Sequence, residues 1–260
     1  MCARFVRLWC ALTLAGAPAL AAAQEGRLPP SLSSDRVGFA NATSVAARER
    51  LTMELGVRAA FGDAPEAALP SLSLRAGLFD WLEARVRGPD GVGRFPASGP
   101  SFGVSDPLVG LKAGGRLAEG LAMSFDWEVS LPLGTDGGFG APEATLWTGL
   151  QLDWTFWGPL TLTPHVVARV LAARDPASGE TVRLFEGGGS LRFTWRALEV
   201  LGLWVQSYVL KSETSDWRVA VGGGLFWRVD PNVQLDASFD AGVSETAIPP
   251  TALAGTTILF

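Results

Sequence analysis

The stretch Leu121-Ala122-Met123-Ser124-Phe125-Asp126-Trp127-Glu128-Val129-Ser130-Leu131 decides the fold of this chain. Leucine, methionine, phenylalanine, tryptophan, valine and leucine hold its odd positions, while Ser124, Asp126, Glu128 and Ser130 hold even ones. Side chains alternate faces along an extended backbone, so the segment reads as a strand with one apolar and one polar face. The pattern recurs on both sides of it. Leu51, Met53, Leu55, Val57, Ala59 and Phe61 oppose Thr52, Glu54, Gly56 and Arg58, and Val233, Leu235, Ala237, Phe239, Ala241 and Val243 oppose Gln234, Asp236, Ser238, Asp240 and Gly242.

Extending the count predicts about twelve strands, near 50–61, 69–78, 81–88, 104–114, 120–132, 144–156, 160–171, 183–196, 199–210, 216–228, 232–243 and 252–260. Each is close to the roughly 9–11 residues that cross a bilayer when tilted. The connections fall into two alternating classes. Phe79-Asp80, Gly158-Pro159, Ala197-Leu198 and Asp230-Pro231-Asn232 mark short turns, with Gly115 to Glu119 slightly longer. Gly88 to Gly103, Leu133 to Glu143 and Ala172 to Val182 are long and rich in Gly, Pro and polar residues. Short turns on one side of a membrane and long loops on the other are what a transmembrane up-and-down barrel requires.

The amino end reads as an export leader. Arg4 and Arg7 precede an apolar run from Leu8 to Gly16, and Ala21-Ala22-Ala23 precedes Gln24, which predicts a signal peptide over 1–23. Residues 24–47 are then expected to be a periplasmic segment and 48–260 the barrel. No later segment offers the roughly 20 uninterrupted apolar residues of a membrane helix. Both cysteines, Cys2 and Cys10, fall in the leader, so the mature chain forms no disulfide and no thiolate metal site. Two of the 21 Lys and Arg residues also fall there, leaving 19 against 26 Asp and Glu. That excess of acids has the wrong sign for nucleic-acid binding. The composition implies no cofactor and no metal.

The chain closes on Ala252-Leu253-Ala254-Gly255-Thr256-Thr257-Ile258-Leu259-Phe260, an alternating segment ending on an aromatic. It resembles the last strand of bacterial outer-membrane β-barrels, which their assembly machinery recognises. The resemblance implies an all-β, antiparallel barrel in the cell outer membrane, with outer-membrane lipid, that machinery and small-molecule solutes as partners and Phe260 as the assembly signal. Trp81, Trp154, Trp157, Trp195 and Trp227 fall near short-turn strand ends, where an interfacial aromatic girdle is expected.

If the apolar parity faces lipid, the lumen receives Glu54, Arg58, Arg75, Glu83, Arg85, Arg87, Asp106, Lys112, Asp126, Glu128, Asp153, His165, Arg169, Glu186, Arg192, Arg196, Arg218, Arg228, Asp236 and Asp240. Both signs interleave, as in charges that brace a lumen or line a passage. Trp147, Trp204, Tyr208 and Phe226 fall on or near the same parity and could stack against an aromatic solute. His165, the only histidine, would serve a barrel hydrolase only with a nucleophile or paired acid within reach. No local catalytic motif supplies one, and packing in the lumen is the plainer reading. Gly187-Gly188-Gly189 and Gly222-Gly223-Gly224 lie inside alternating strands with no following Lys-Ser/Thr, so they read as kinks that relieve curvature and not as phosphate loops.

Gly103-Val104-Ser105-Asp106-Pro107-Leu108-Val109-Gly110-Leu111-Lys112 and, one strand later, Leu131-Pro132-Leu133-Gly134 resemble the outer-membrane family associated with the meta-pathway of phenol degradation. That resemblance implies a channel for aromatic compounds over Thr43 to Phe260. The expected function is a route for small solutes, hydrophobic or aromatic ones included. The alternatives are a lipid-modifying or proteolytic barrel using His165 and a structural or adhesive barrel.

Overall fold

The structure is a computed structural model that describes residues 41–175, 178–244 and 248–260, together with Leu32, Ser34, Asp35 and Phe39. The expected signal peptide over 1–23 lies outside the described residues. Among the described residues fourteen strands follow in order. They are β1 (Leu51–Ala60), β2 (Glu66–Phe79), β3 (Leu82–Arg87), β4 (Gly91–Arg94), β5 (Ser101–Val104), β6 (Leu108–Ala118) and β7 (Leu121–Ser130). Then come β8 (Leu146–Trp157), β9 (Leu160–Arg174), β10 (Thr181–Trp195), β11 (Leu201–Ser212), β12 (Arg218–Asp230), β13 (Val233–Gly242) and β14 (Thr251–Leu259).

Twelve of them form one closed antiparallel wall, because β1 pairs with β2 on one side and with β14 on the other. Phe260 and Leu51 exchange both backbone hydrogen bonds at that seam, at 2.8 and 3.4 Å. Closure gives each strand of this wall a partner on both edges, which a bilayer demands because its core offers no water to an unpaired backbone group.

β4 and β5 stand apart from the ring. The expected loop from Gly88 to Gly103 holds β4 and all of β5 but Val104, and the two form a hairpin that continues the β3–β6 pair beyond breaks at Gly88–Asp90 and Ser105–Pro107. β4 pairs with Glu66–Ala68 of β2, so the hairpin extends the wall past its long-loop rim. The proline at 107 cannot donate to a ladder, so the strand expected over 104–114 splits there and restarts at Leu108. Its far end runs on to Ala118, and the expected Gly115–Glu119 turn contracts to Glu119-Gly120, with Gly120 at φ +69°.

The two faces differ as the alternation requires. Val57, Trp127, Val166, Val205 and Phe239 are exposed on the outer face, with Val205 60% accessible. Ser124, Asp126 and Glu128 from the intervening positions of β7 are sealed, at 0–1%. Trp154, Trp157, Trp195 and Trp227 are exposed near the short-turn end, and Trp81 stacks on Phe79 there with ring centroids 5.8 Å apart. Such a belt places indole rings at the level of lipid headgroups.

The glycine triplets do not interrupt their strands. β10 pairs with β11, and β12 with β13, residue for residue through both triplets. Clearance explains an inward glycine better than a kink does. Gly202 faces Phe226 across the ladder, and a Cβ at 202 would lie 2.1 Å from the Phe226 ring.

Candidate functional site

The described part of the 24–47 segment, expected in the periplasm, lies inside the barrel. Alternation carries no information about a chain that is not a strand, and the physical reason for its position is charge and hydrogen bonding. The segment leaves the short-turn end of β1, where Glu49 N–H donates to Gly77 O at 3.0 Å. It packs so closely on β2 that a Cβ at Gly77 would lie 2.0 Å from Ala47 O.

Inside, its contacts follow the wall. Ala46 N–H donates to Glu83, and the Thr43 hydroxyl donates to Asp153 at 2.6 Å, beside Thr163. The Asn41 amide donates to Asp126, which Gln151 also contacts, and Arg192 donates to Asn41 O at 3.2 Å. Phe39 lies parallel to Tyr208, with ring centroids 4.5 Å and planes 6° apart, while its N–H donates to Gln206.

Asp35 is a buried, charged anchor. One carboxylate oxygen accepts from Arg85 Nη2 at 2.7 Å and Lys112 Nζ at 2.8 Å, with Arg75 Nε at 3.7 Å. The other accepts the Ala42 N–H at 2.8 Å, which closes the segment on itself. Glu54 takes the Asp35 N–H, and Arg75 bridges Glu54 and Glu83 at 3.2 and 2.9 Å. Burial alone would raise the Asp35 carboxyl, but Arg75, Lys112 and Arg85 outweigh it and hold the group well below the usual carboxylate range.

Toward the long loops lies a second cluster, whose Arg169 sits over the Phe39 ring at 5.8 Å from its centroid. Two guanidinium groups lie over the Trp147 ring, Arg169 at 4.0 Å and Arg87 at 4.8 Å from its centroid. Arg87 pairs with Glu128, and Glu186 receives both Arg169, at 3.1 Å, and Arg218. At the rim, Glu66 joins Arg58 and Arg94 at 2.6 and 3.0 Å.

Of the residues expected on the inner face, Glu54, Arg75, Arg85, Lys112, Asp126, Glu128, His165, Glu186, Asp236 and Asp240 are buried. Arg58, Asp153, Arg169, Arg192 and Arg218 are partly accessible. Two expectations are corrected. Asp106 belongs to the strand break and accepts the N–H groups of Gly134 and Ala141, both at 2.7 Å. It thereby ties the two stretches that carried the family resemblance into one loop. Arg196 is exposed beyond the end of β10, where its N–H donates to Pro159 O.

His165 packs its ring 5.5 Å from Phe39, and neither ring nitrogen has a hydrogen-bond partner among the described residues. Among the described residues no base–nucleophile pair of the kind a hydrolase requires is assembled at it. Among the described residues no three His, Cys, Asp or Glu side chains group as a metal site. Sequence reasoning missed Asp35, Phe39, Asn41 and Thr43, whose segment has no periodicity. A surplus of inward cations over acids among Glu54, Arg75, Glu83, Arg85 and Lys112 was the available signal for a missing acid.

No family model and no curated protein matches the sequence. Solved structures share its fold. An outer membrane channel from Pseudomonas putida F1 aligns with TM-score 0.68 and 11% identity over 86% of this chain and 100% of that one. The NanC porin aligns with TM-score 0.56 and 12% identity over 80% and 98%. The KdgM porin, in complex with disordered oligogalacturonate, aligns with TM-score 0.53 and 9% identity over 80% and 99%. The fold they share with this chain is the transmembrane antiparallel up-and-down β-barrel.

Proposed function

We propose that the chain is a channel in the bacterial outer membrane through which small solutes, hydrophobic or aromatic ones included, cross without an energy source. One observation carries this reading: a closed wall, apolar outside and polar inside, encloses a chain segment that does not belong to the wall. Wall side chains alone fill a barrel of about eight strands, and a twelve-stranded wall leaves room for a passage. A segment that enters from one end can be withdrawn without breaking the strand-to-strand ladder of the wall. The structural neighbours are described as a channel and as porins, which supports the reading, and the phenol meta-pathway resemblance supports an aromatic solute. On it, the inward charges from Glu54 to Asp240 line the passage, the leader over 1–23 exports the chain, and Phe260 presents the last strand to the assembly machinery.

Single-channel recording on the purified protein in a planar lipid bilayer tests it. Stepwise currents are expected. A protein that is folded, as judged by a heat-modifiable gel band, yet never conducts with or without candidate solutes would overturn the reading.

A further inference from the structure

We infer that Asp35 occupies, with its own side chain, a binding site for the carboxylate of a permeating solute, and that such a solute opens the passage by displacing it. The inference rests on the channel reading. The three cations facing Asp35 come from three wall strands, Arg75 from β2, Arg85 from β3 and Lys112 from β6, so the hydrogen-bonded ladder fixes their positions. Arg85 and Lys112 converge on one oxygen at 2.7 and 2.8 Å, the short geometry of charge-assisted bonds to a carboxylate. Their anion comes from a segment outside the wall.

The wall replaces that anion only in part, by charge contacts without a hydrogen bond. Arg85 Nε and Nη1 are buried without a hydrogen bond even with Asp35 in place, although Glu83 and Glu128 lie within 3.4 and 3.5 Å. Withdrawing Asp35 would leave Arg85 and Lys112, both sealed from solvent, short of an acceptor, and buried cations without one are costly. The site is therefore filled by exchange: one carboxylate leaves as another arrives. Four residues further along the segment, Phe39 shows that the wall also hosts a planar ring, since it lies flat on Tyr208. The Tyr208 contact lies on β11, across the barrel from Arg85 and Lys112, so the carboxylate alone decides which solute takes the Asp35 site.

The test uses the whole purified protein in planar bilayers, with sodium benzoate and benzyl alcohol as probes at equal concentration and ionic strength. Benzoate is expected to raise the opening frequency several-fold and benzyl alcohol to leave it unchanged. Asp35→Ala is expected to open without benzoate and, in a potassium chloride gradient, to move the reversal potential toward that of chloride. Adding Lys112→Met to Asp35→Ala should move it back. Equal responses to the two probes would overturn the inference, as would an Asp35→Ala protein with unchanged opening and selectivity. Should Asp35→Ala fail to fold, the two probes on the unaltered protein decide. Currents indifferent to benzoate sink this inference alone, whereas the absence of any current sinks the channel reading and this inference with it.

Discussion

Gly202 and Phe226 show what single residues decide on the inner wall. The ring lies where a side chain at 202 would be, so Gly202→Ala forces Phe226 from its position and should cost about 1–3 kcal/mol through overpacking. In a double-mutant cycle, Gly202→Ala combined with Phe226→Ala should lose less than the sum of the two single losses, measured by denaturant unfolding in detergent. Additive losses would show that the ring does not need the glycine. Sequence parity made the sealing of Glu54, Arg85, Lys112 and Asp126 legible, because alternation is a rule about neighbours. It could not place Asp106, because Pro107 ends the alternation beside it. It could not place Asp35 either, since contacts between residues 50 and 77 positions apart leave no local trace.

At the level of the strand, β7 carries the alternation that first indicated the fold. Phe125 faces outward between sealed Ser124 and Asp126, so Phe125→Arg should destabilise the inserted barrel by about 2–4 kcal/mol near the midplane. A change well under 1 kcal/mol on refolding into vesicles would reverse the assigned faces. β14 tests a different property. Its Thr257 and Leu259 are turned inward, while Phe260 is 56% accessible at the seam. Deleting Phe260 should lower the amount of heat-modifiable protein reaching the cell surface, whereas Leu259→Val should be mild; normal surface levels of the deletion would show that the terminal aromatic is incidental. Most of the twelve wall strands could be read in advance because each runs through many alternations. β4 and β5 could not, since four residues each, flanked by Gly and Pro, are too short to display a period.

Over the whole molecule, the wall and the segment it encloses respond to pH through Asp35. Arg75, Arg85 and Lys112 face its carboxylate, and Glu54 faces its backbone N–H. A carboxyl whose value is depressed on folding contributes its full stabilisation above the ordinary value of 3.8 and loses it as pH falls through the depressed one. Low opening frequency should therefore persist from neutral pH down to about 4 and give way only in stronger acid, while Asp35→Asn should open frequently at neutral pH; recordings across this range check both. Opening that rises between pH 7 and 5 would mean that another group holds the segment. The covalent continuity of the segment with β1 has one more effect. A tethered group meets its site at an effective concentration set by tether length, on the order of millimolar for a short linker, whatever the amount of protein in the membrane. A free competitor must match that standing concentration before it prevails, so the length of chain between Asp35 and Leu51 sets a threshold of solute abundance below which the barrel keeps itself shut.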